Sequence, residues 1–223
     1  MSITLGIVTR GNDISAGLLS FVAEAIFNKE IDDVLLSSSP LSANEGQENL
    51  LQAFLKLEAR SHILVIDSDV IPPSNTIAEL LKVDGDIVVA PVWHYDPVEK
   101  DIHVGIHYKN LWVSNRMHVE KKTGIERILA ASFSILLIKR EAVSRIIEET
   151  GSFIGDWDKI TDFSPHTHAD NIFFRKASMI GLKAYVNWDV KGAVHARRIE
   201  LSTEVIDKLV TKRLHEMHMG REE

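Results

Sequence analysis

His62-Ile63-Leu64-Val65-Ile66-Asp67-Ser68-Asp69 passes straight from apolar side chains into two carboxylates, and Val70-Ile71-Pro72-Pro73 follows. A short continuous apolar run closed by turn residues predicts a strand buried on both faces. The exit of such a strand is where open α/β sheets bind ligands. In extended geometry Asp67 and Asp69 face the same way, roughly 7 Å apart, with Ser68 turned to the other side. Like charges at that range repel by a few kcal/mol at an effective dielectric of about 20, so the pair invites a cation. Oxygen donors suit Mg²⁺ or Mn²⁺, which bind through one or two carboxylates plus the phosphates of a substrate. The stretch therefore reads as a cation site for a diphosphate. Its competing reading is structural, because acidic residues before Pro72-Pro73 also form turns.

Outward from this strand, apolar spacing alternates between strand and helix. Ile3 to Thr9 and Asp33 to Ser37 read as strands, and Ile14 to Phe27 and Asn49 to Leu57 as helices. Asn75 to Leu81 reads as a helix and Asp86 to Pro91 as a buried strand. This alternation predicts a parallel sheet with helices on both faces. Residues 101 to 121 carry short alternating runs, which predict small antiparallel strands. Leu129 to Ile138 reads as one long apolar strand, and Arg140 to Glu149 as a helix stopped by Gly151.

Composition sets the class. With 45% hydrophobic and 26% charged residues over 223 positions, the chain has the profile of a globular protein with a sizeable core. A net charge of −7 argues against a nucleic-acid partner recognised through a broad basic surface. Cysteine is absent, which excludes disulfides and thiolate chemistry. No apolar stretch approaches the roughly 18 residues of a membrane span, and the start lacks a basic, apolar leader, so a cytoplasmic protein without a transmembrane segment is expected. No linker or repeat divides the chain. One domain over 1–223 is expected, with a nucleotide-binding half at 1–98, an acceptor and catalytic half at 99–200, and a C-terminal helix at 201–223.

A second stretch carries chemistry. In Thr167-His168-Ala169-Asp170-Asn171-Ile172-Phe173-Phe174-Arg175-Lys176-Ala177 the aspartate opens a helix whose apolar positions can pack on a sheet, and Gly181 suits the helix stop. After a strand from Lys183 to Val186, the chain reaches Val194-His195. A carboxylate at a helix start and a histidine at a strand end both lie at the rim of a core. Each also has a plainer reading, Asp170 as a helix cap and His195 as a loop histidine.

The order of these motifs, strand-Asp67-Ser68-Asp69, a buried strand into Lys139-Arg140-Glu141, the Asp170 helix with Gly181, then Val194-His195, resembles the nucleotide-sugar-dependent glycosyltransferases of the GT-A fold. The likeness spans roughly residues 3 to 198. It implies an α/β fold with a mostly parallel central sheet, flanking helices, a Rossmann-like N-terminal half and a small antiparallel addition. It also implies a hexosyltransferase activity that uses Mn²⁺ or Mg²⁺, a UDP- or GDP-sugar donor and a hydroxyl acceptor on a glycan, protein or lipid-linked carrier. By position, Asp69 would be a metal ligand, and Asp67 would reach the ribose or a metal-bound water. His195 would be a further metal ligand, and Asp170 the base of an inverting reaction. Thr9, Arg10 and Ser68 would lie against the nucleotide-sugar, and Arg197 or Arg198 would touch the diphosphate. Ala169 stands where many such enzymes carry glutamate.

Other readings compete. A non-catalytic nucleotide-sugar or glycan-binding module would keep the fold without the reaction. His166-Thr167-His168-Ala169-Asp170 resembles the metal-binding start of metallo-β-lactamase-type hydrolases, with Asn171 in place of a histidine. Asp67-Ser68-Asp69 resembles the motif of haloacid-dehalogenase-type phosphatases, but continues Val-Ile instead of Gly-Thr. Trp93-His94-Tyr95 follows a buried strand and could line a pocket or simply pack a turn, and His103 and His107 share a face but read as surface histidines. The tail from Leu201 to Met219 reads as a docked helix or a homodimer contact, lacking the basic face of a membrane anchor.

Overall fold

The apolar run around Leu64 is a strand, His62–Asp67, with both neighbours in place and both faces covered. A computed structural model of the chain describes residues 1–9, 13–38, 43–96, 101–104, 106–108, 111–113, 122–155 and 169–195. In chain order the first half comprises β1 (Ile3–Thr9), α1 (Ala16–Phe27), β2 (Asp33–Ser38), α2 (Ala43–Leu55), β3 (His62–Asp67), β4 (Val70–Ile71), α3 (Thr76–Leu80) and β5 (Ile87–Val89). Two short arms follow, β6 (Trp93–Asp96) with β7 (Asp101–Val104), and β8 (Ile106–Tyr108) with β9 (Leu111–Val113). The second half adds β10 (Ile125–Ile128), β11 (Ala130–Ala131), β12 (Ile135–Lys139), α4 (Arg140–Thr150), α5 (Ala169–Met179), β13 (Ala184–Asn187) and β14 (Val194–His195).

Among the described residues the main sheet has seven strands in the order β10-β13-β5-β12-β3-β1-β2. β1 pairs in parallel with β2 and β3, and β13 in parallel with β5. β12 runs antiparallel between β3 and β5, and β10 antiparallel at the edge. The sheet is therefore mixed, although five of its strands share one direction. Two smaller sheets, β4-β14-β6-β7 and β11-β8-β9, stand beside it.

The two faces of β3 explain why its sequence does not alternate. Ile63 and Val65 belong to one buried cluster with α2, α4 and α5, while Leu64 and Ile66 belong to another with α1 and α3. Helices cover both faces, so every position from Ile63 to Ile66 is apolar.

Three elements differ from their sequence expectation. α2 begins at Ala43 instead of Asn49. Its first turns carry few apolar residues to reveal the period, and Gly46 lies so close to β1 that a Cβ there would stand 3.0 Å from Val8 Cγ1. The run from Leu129 to Ile138 is not one strand: it turns at Phe133-Ser134, separating β11 from β12. β12 also runs against its neighbours, a direction that an apolar run cannot signal because its side chains meet the same two layers either way. The helix at Arg140 ends at Gly151, as its spacing predicts, with the glycine in the left-handed region at φ 77°. The tail at 201–223 lies outside the described residues, and among those residues no helix is long and apolar enough to cross a membrane.

Arg140 ties the second half to the first. Its guanidinium donates to the carbonyls of Leu57 at 2.8 Å, Leu55 at 2.5 Å and Phe54 at 3.4 Å, at the end of α2, and lies 5.5 Å from the Phe54 ring centroid. A cation there meets the negative end of the helix dipole and adds to the backbone bonds that Phe54 O and Leu57 O already accept from Leu57 N–H and Arg60 N–H. Replacing Arg140 by Met is expected to lower unfolding free energy by about 1.5–3 kcal/mol, the scale of hydrogen bonds to a charged group, as read by urea denaturation.

His62, half-buried at the start of β3 with Nδ1 2.9 Å from Ser61 Oγ, is held below the ordinary imidazole pKa, first by burial and then by the charge of Lys139. The unfolded chain binds this proton more readily. The stability contribution is thus complete above about pH 6.5 and is lost as pH falls from there through the lower folded-state value. His62→Gln is expected to flatten that part of the stability profile, measured by denaturant midpoints between about pH 8 and pH 5.

Candidate cation and diphosphate site

Backbone hydrogen bonds fix the acidic turn after β3 from three directions. Asp67 N–H donates to Ser134 O at 3.1 Å, Ser68 N–H to Val8 O at 3.1 Å, and Ser15 N–H to Ser68 O at 2.9 Å. The turn is thus tied to the β11–β12 bend, to the end of β1 and to the start of α1. Ser15 also caps α1, its Oγ accepting from Leu18 N–H at 3.1 Å. Thr9, buried at the end of β1, donates its hydroxyl to Asp13 O at 3.1 Å and so fixes the loop before α1.

Past the turn, β4 lies against α1 because residue 17 has no side chain. A Cβ on Gly17 would meet Ile71 Cδ1 at 2.7 Å and Cγ2 at 2.9 Å. β4 in turn pairs antiparallel with β14, which sets Val194 opposite Ile71 and His195 opposite Val70. This ladder brings together two residues separated by more than half the chain, with His195 Nδ1 3.5 Å from Asp69 Oδ1. The histidine is largely enclosed and the aspartate is exposed, with side-chain exposures of 21% and 59%.

Asp170 stands in the first turn of α5. That helix packs through Phe173 and Phe174, whose rings lie edge-on to Phe133 at 4.9 and 6.4 Å, beside the bend that holds Asp67. α5 leads through Gly181 into β13, whose first residue pairs with Ile87 at the start of β5. It therefore runs back along the sheet, and Asp170 lies towards the edge where β1 and β3 end. That edge thus carries Thr9, the Asp67-Ser68-Asp69 turn, Asp170 and His195. Arg10, Arg197 and Arg198 lie outside the described residues, as do His166 and His168 of the hydrolase reading.

Asp67 and Asp69 carry carboxylate oxygens, and His195 Nδ1 lies beside one of them. Among the described residues no group of three or more His, Asp or Glu is placed to hold a metal ion. An ion on the two carboxylates would need phosphate oxygens and water for most of its shell, as Mg²⁺ and Mn²⁺ accept. Two clefts of about 230 and 290 Å³, one beside Phe174 and Leu182 and one beside His62 and Lys139, include none of Asp67, Asp69 and His195 in their lining.

Sequence reasoning missed the supports. Ser134 offers no signal, since its bond to Asp67 runs through the backbone carbonyl. Gly17 could have been questioned, because a glycine inside a helix costs stability unless something needs its space.

No protein-family model matches this sequence, and no curated protein matches it. Among solved structures, the chain is similar to "Crystal Structure of A197 from STIV", at 16% identity over 88% of this chain and 95% of that one, with a TM-score of 0.55. The two share an α/β fold. At that identity the likeness describes architecture alone.

Gly17→Val is expected to push Ile71 aside and destabilise the protein by about 1–3 kcal/mol, the cost of overpacking, against the gain normally seen on removing a helical glycine. Chemical denaturation of the variant checks it.

Proposed function

We propose that the chain is a metal-dependent glycosyltransferase of the GT-A type, moving a sugar from a UDP- or GDP-sugar to a hydroxyl acceptor. The observation that carries this reading is the 3.5 Å approach of His195 to Asp69 at the strand-exit edge of the sheet. Residues picked out separately, as ligands of one cation, meet in space through a ladder that their sequence does not announce. The α/β architecture, with five strands in one direction, is compatible with it.

In this reading Asp67 and Asp69, with His195, hold a Mn²⁺ or Mg²⁺ ion. A bound divalent ion neutralises the charge that develops on a departing nucleoside diphosphate. Thr9, Ser68 and Arg10 border the nucleotide-sugar, and Arg198 adds positive charge at the diphosphate. The Asp170 carboxylate, at the helix start on the same edge, accepts the proton of the acceptor hydroxyl as that oxygen attacks the anomeric carbon, which inverts the configuration.

Calorimetry with UDP and GDP, with and without Mn²⁺, tests the proposal. Asp69→Asn is expected to abolish Mn²⁺-dependent nucleotide binding while circular dichroism stays that of the parent, and Asp170→Asn is expected to keep binding. Equal nucleotide affinity in the Asp69 variant and the parent would overturn the role of Asp69 and, with it, the proposal.

A further inference from the structure

The edge of the main sheet at β2 is apolar and lacks the features that keep sheet edges apart. β2 is the last strand in the order and pairs only with β1, so among the described residues no strand lies along its other side. Its sequence, Asp33-Val34-Leu35-Leu36-Ser37-Ser38, has no lysine, no proline and no charge in its middle, which are the usual guards against edge-to-edge pairing. Its register with β1 runs without a bulge, and Val34 and Leu36 stay 36% and 63% exposed. The opposite edge, β10, is guarded. Glu126 and Arg127 stand at its centre, and Glu126 is engaged by Lys122 and Trp188.

Helix α1 extends this surface. Val34 and Leu36 lie level with Leu5 and Ile7 of β1, so they share the sheet face that α1 covers through Leu18, Phe21 and Ala25. Along that helix Gly17 is turned to Ile71 of β4, the strand that follows β3, and β3 lies on the side of β1 away from β2. At about 100° per residue, Leu19 and Ile26 point nearly opposite to Gly17 and hence towards the β2 flank. Both are just over half exposed. With Val34 and Leu36 they leave roughly 350 Å² of apolar side chain open, the size of patch that marks an association site and about two thirds of the apolar area on one side of a standard interface.

We propose that this edge is a self-association surface, and that two copies of the chain pair antiparallel through β2 about a twofold axis at Leu35. An open strand edge is completed by another strand, and a copy related by a twofold axis presents the same patch in return. With the axis at Leu35, Val34 stands opposite Leu36 of the second copy, so apolar side chains meet apolar ones. Asp33 falls opposite Ser37 of the second copy, which opposes no like charges, and Asp33 is already paired with Arg60. The two main sheets then run on as one. This surface lies along the side of the sheet, whereas Asp67 and Asp69 follow a strand end, so the pairing does not depend on sugar transfer.

Sedimentation equilibrium of the full chain over a range of concentrations tests this. A reversible monomer–dimer equilibrium with a micromolar dissociation constant is expected, since a patch of this size holds few anchors. Leu36→Lys and Ile26→Lys should each raise that constant about a hundredfold with circular dichroism unchanged, because the axis places every change in the interface twice. Ile125→Lys at the β10 edge and Met179→Lys on α5, both at exposed residues, should leave it as it was. The chain has no cysteine, so the single thiol of Leu35→Cys reports on the axis. Oxidation should give a disulfide-linked dimer, while Met179→Cys stays monomeric under the same conditions. A parent chain that is monomeric at every concentration, a dimer that persists in both the Leu36 and Ile26 variants, or a loss of equal size in the Ile125 variant overturns the surface. A dimer weakened by Leu36→Lys that forms no disulfide through Leu35→Cys overturns the antiparallel pairing about Leu35.

Discussion

The backbone of the turn after β3 is the constraint on which the candidate site depends. Strand β3 lies between β1 and β12, both its faces covered, and at its exit Asp67 and Ser68 are tied by backbone bonds to Ser134 and Val8, while Ser68 accepts from Ser15. Those three bonds join the β11–β12 bend, the end of β1 and the start of α1 at one point. These backbone bonds fix the course of the turn that carries the two carboxylates.

Around that point the protein is assembled from pieces that each need another to be complete. Arg140, the first residue of α4, donates to the carbonyls of Leu55 at the end of α2 and of Leu57 just beyond it. Glu48 of α2 accepts from the N–H groups of Phe153 and Ile154, at 3.0 and 2.9 Å, and Lys176 of α5 donates to Ser152 O at 2.7 Å, so the segment following α4 is pinned from both sides. The aromatic trio Phe133, Phe173 and Phe174 then fixes α5 beside the bend that holds Asp67. Arg140 closes the edge where β3 begins, since Lys139 lies level with His62, whereas the aromatic trio lies beside the bend at the other edge, and the position of Asp170 follows from contacts made by its neighbours in the helix. A residue at a helix start is placed by the stripe of apolar side chains behind it.

The small sheet shows how a short ladder brings distant parts of the chain level with one another. β4 is only two residues long, and it can lie flat on α1 because Gly17 leaves space for Ile71. Pairing with β14 then carries His195 to Asp69. Short strands of this kind contribute little stability alone. Their value is positional, since a ladder sets residues level to within a fraction of the strand spacing.

Much of the architecture was legible in the residues themselves. The unbroken apolar run of β3, the helical spacing around Phe21 and Ile146, and the glycines at 151 and 181 each act through local chemistry: burial on both faces, one apolar stripe, a left-handed backbone that only glycine adopts cheaply. The two carboxylates at the end of that run, and the aspartate opening a helix, were also plain, because they break an apolar pattern. Tertiary structure decided the rest. It set β12 against its neighbours, bent the run at Phe133-Ser134, started α2 at Ala43 and joined His195 to Asp69. None of these has a local signature, since strand direction, ladder register and a contact across more than a hundred residues depend on which distant surfaces bury one another, and a one-dimensional pattern records only that a surface wants burial.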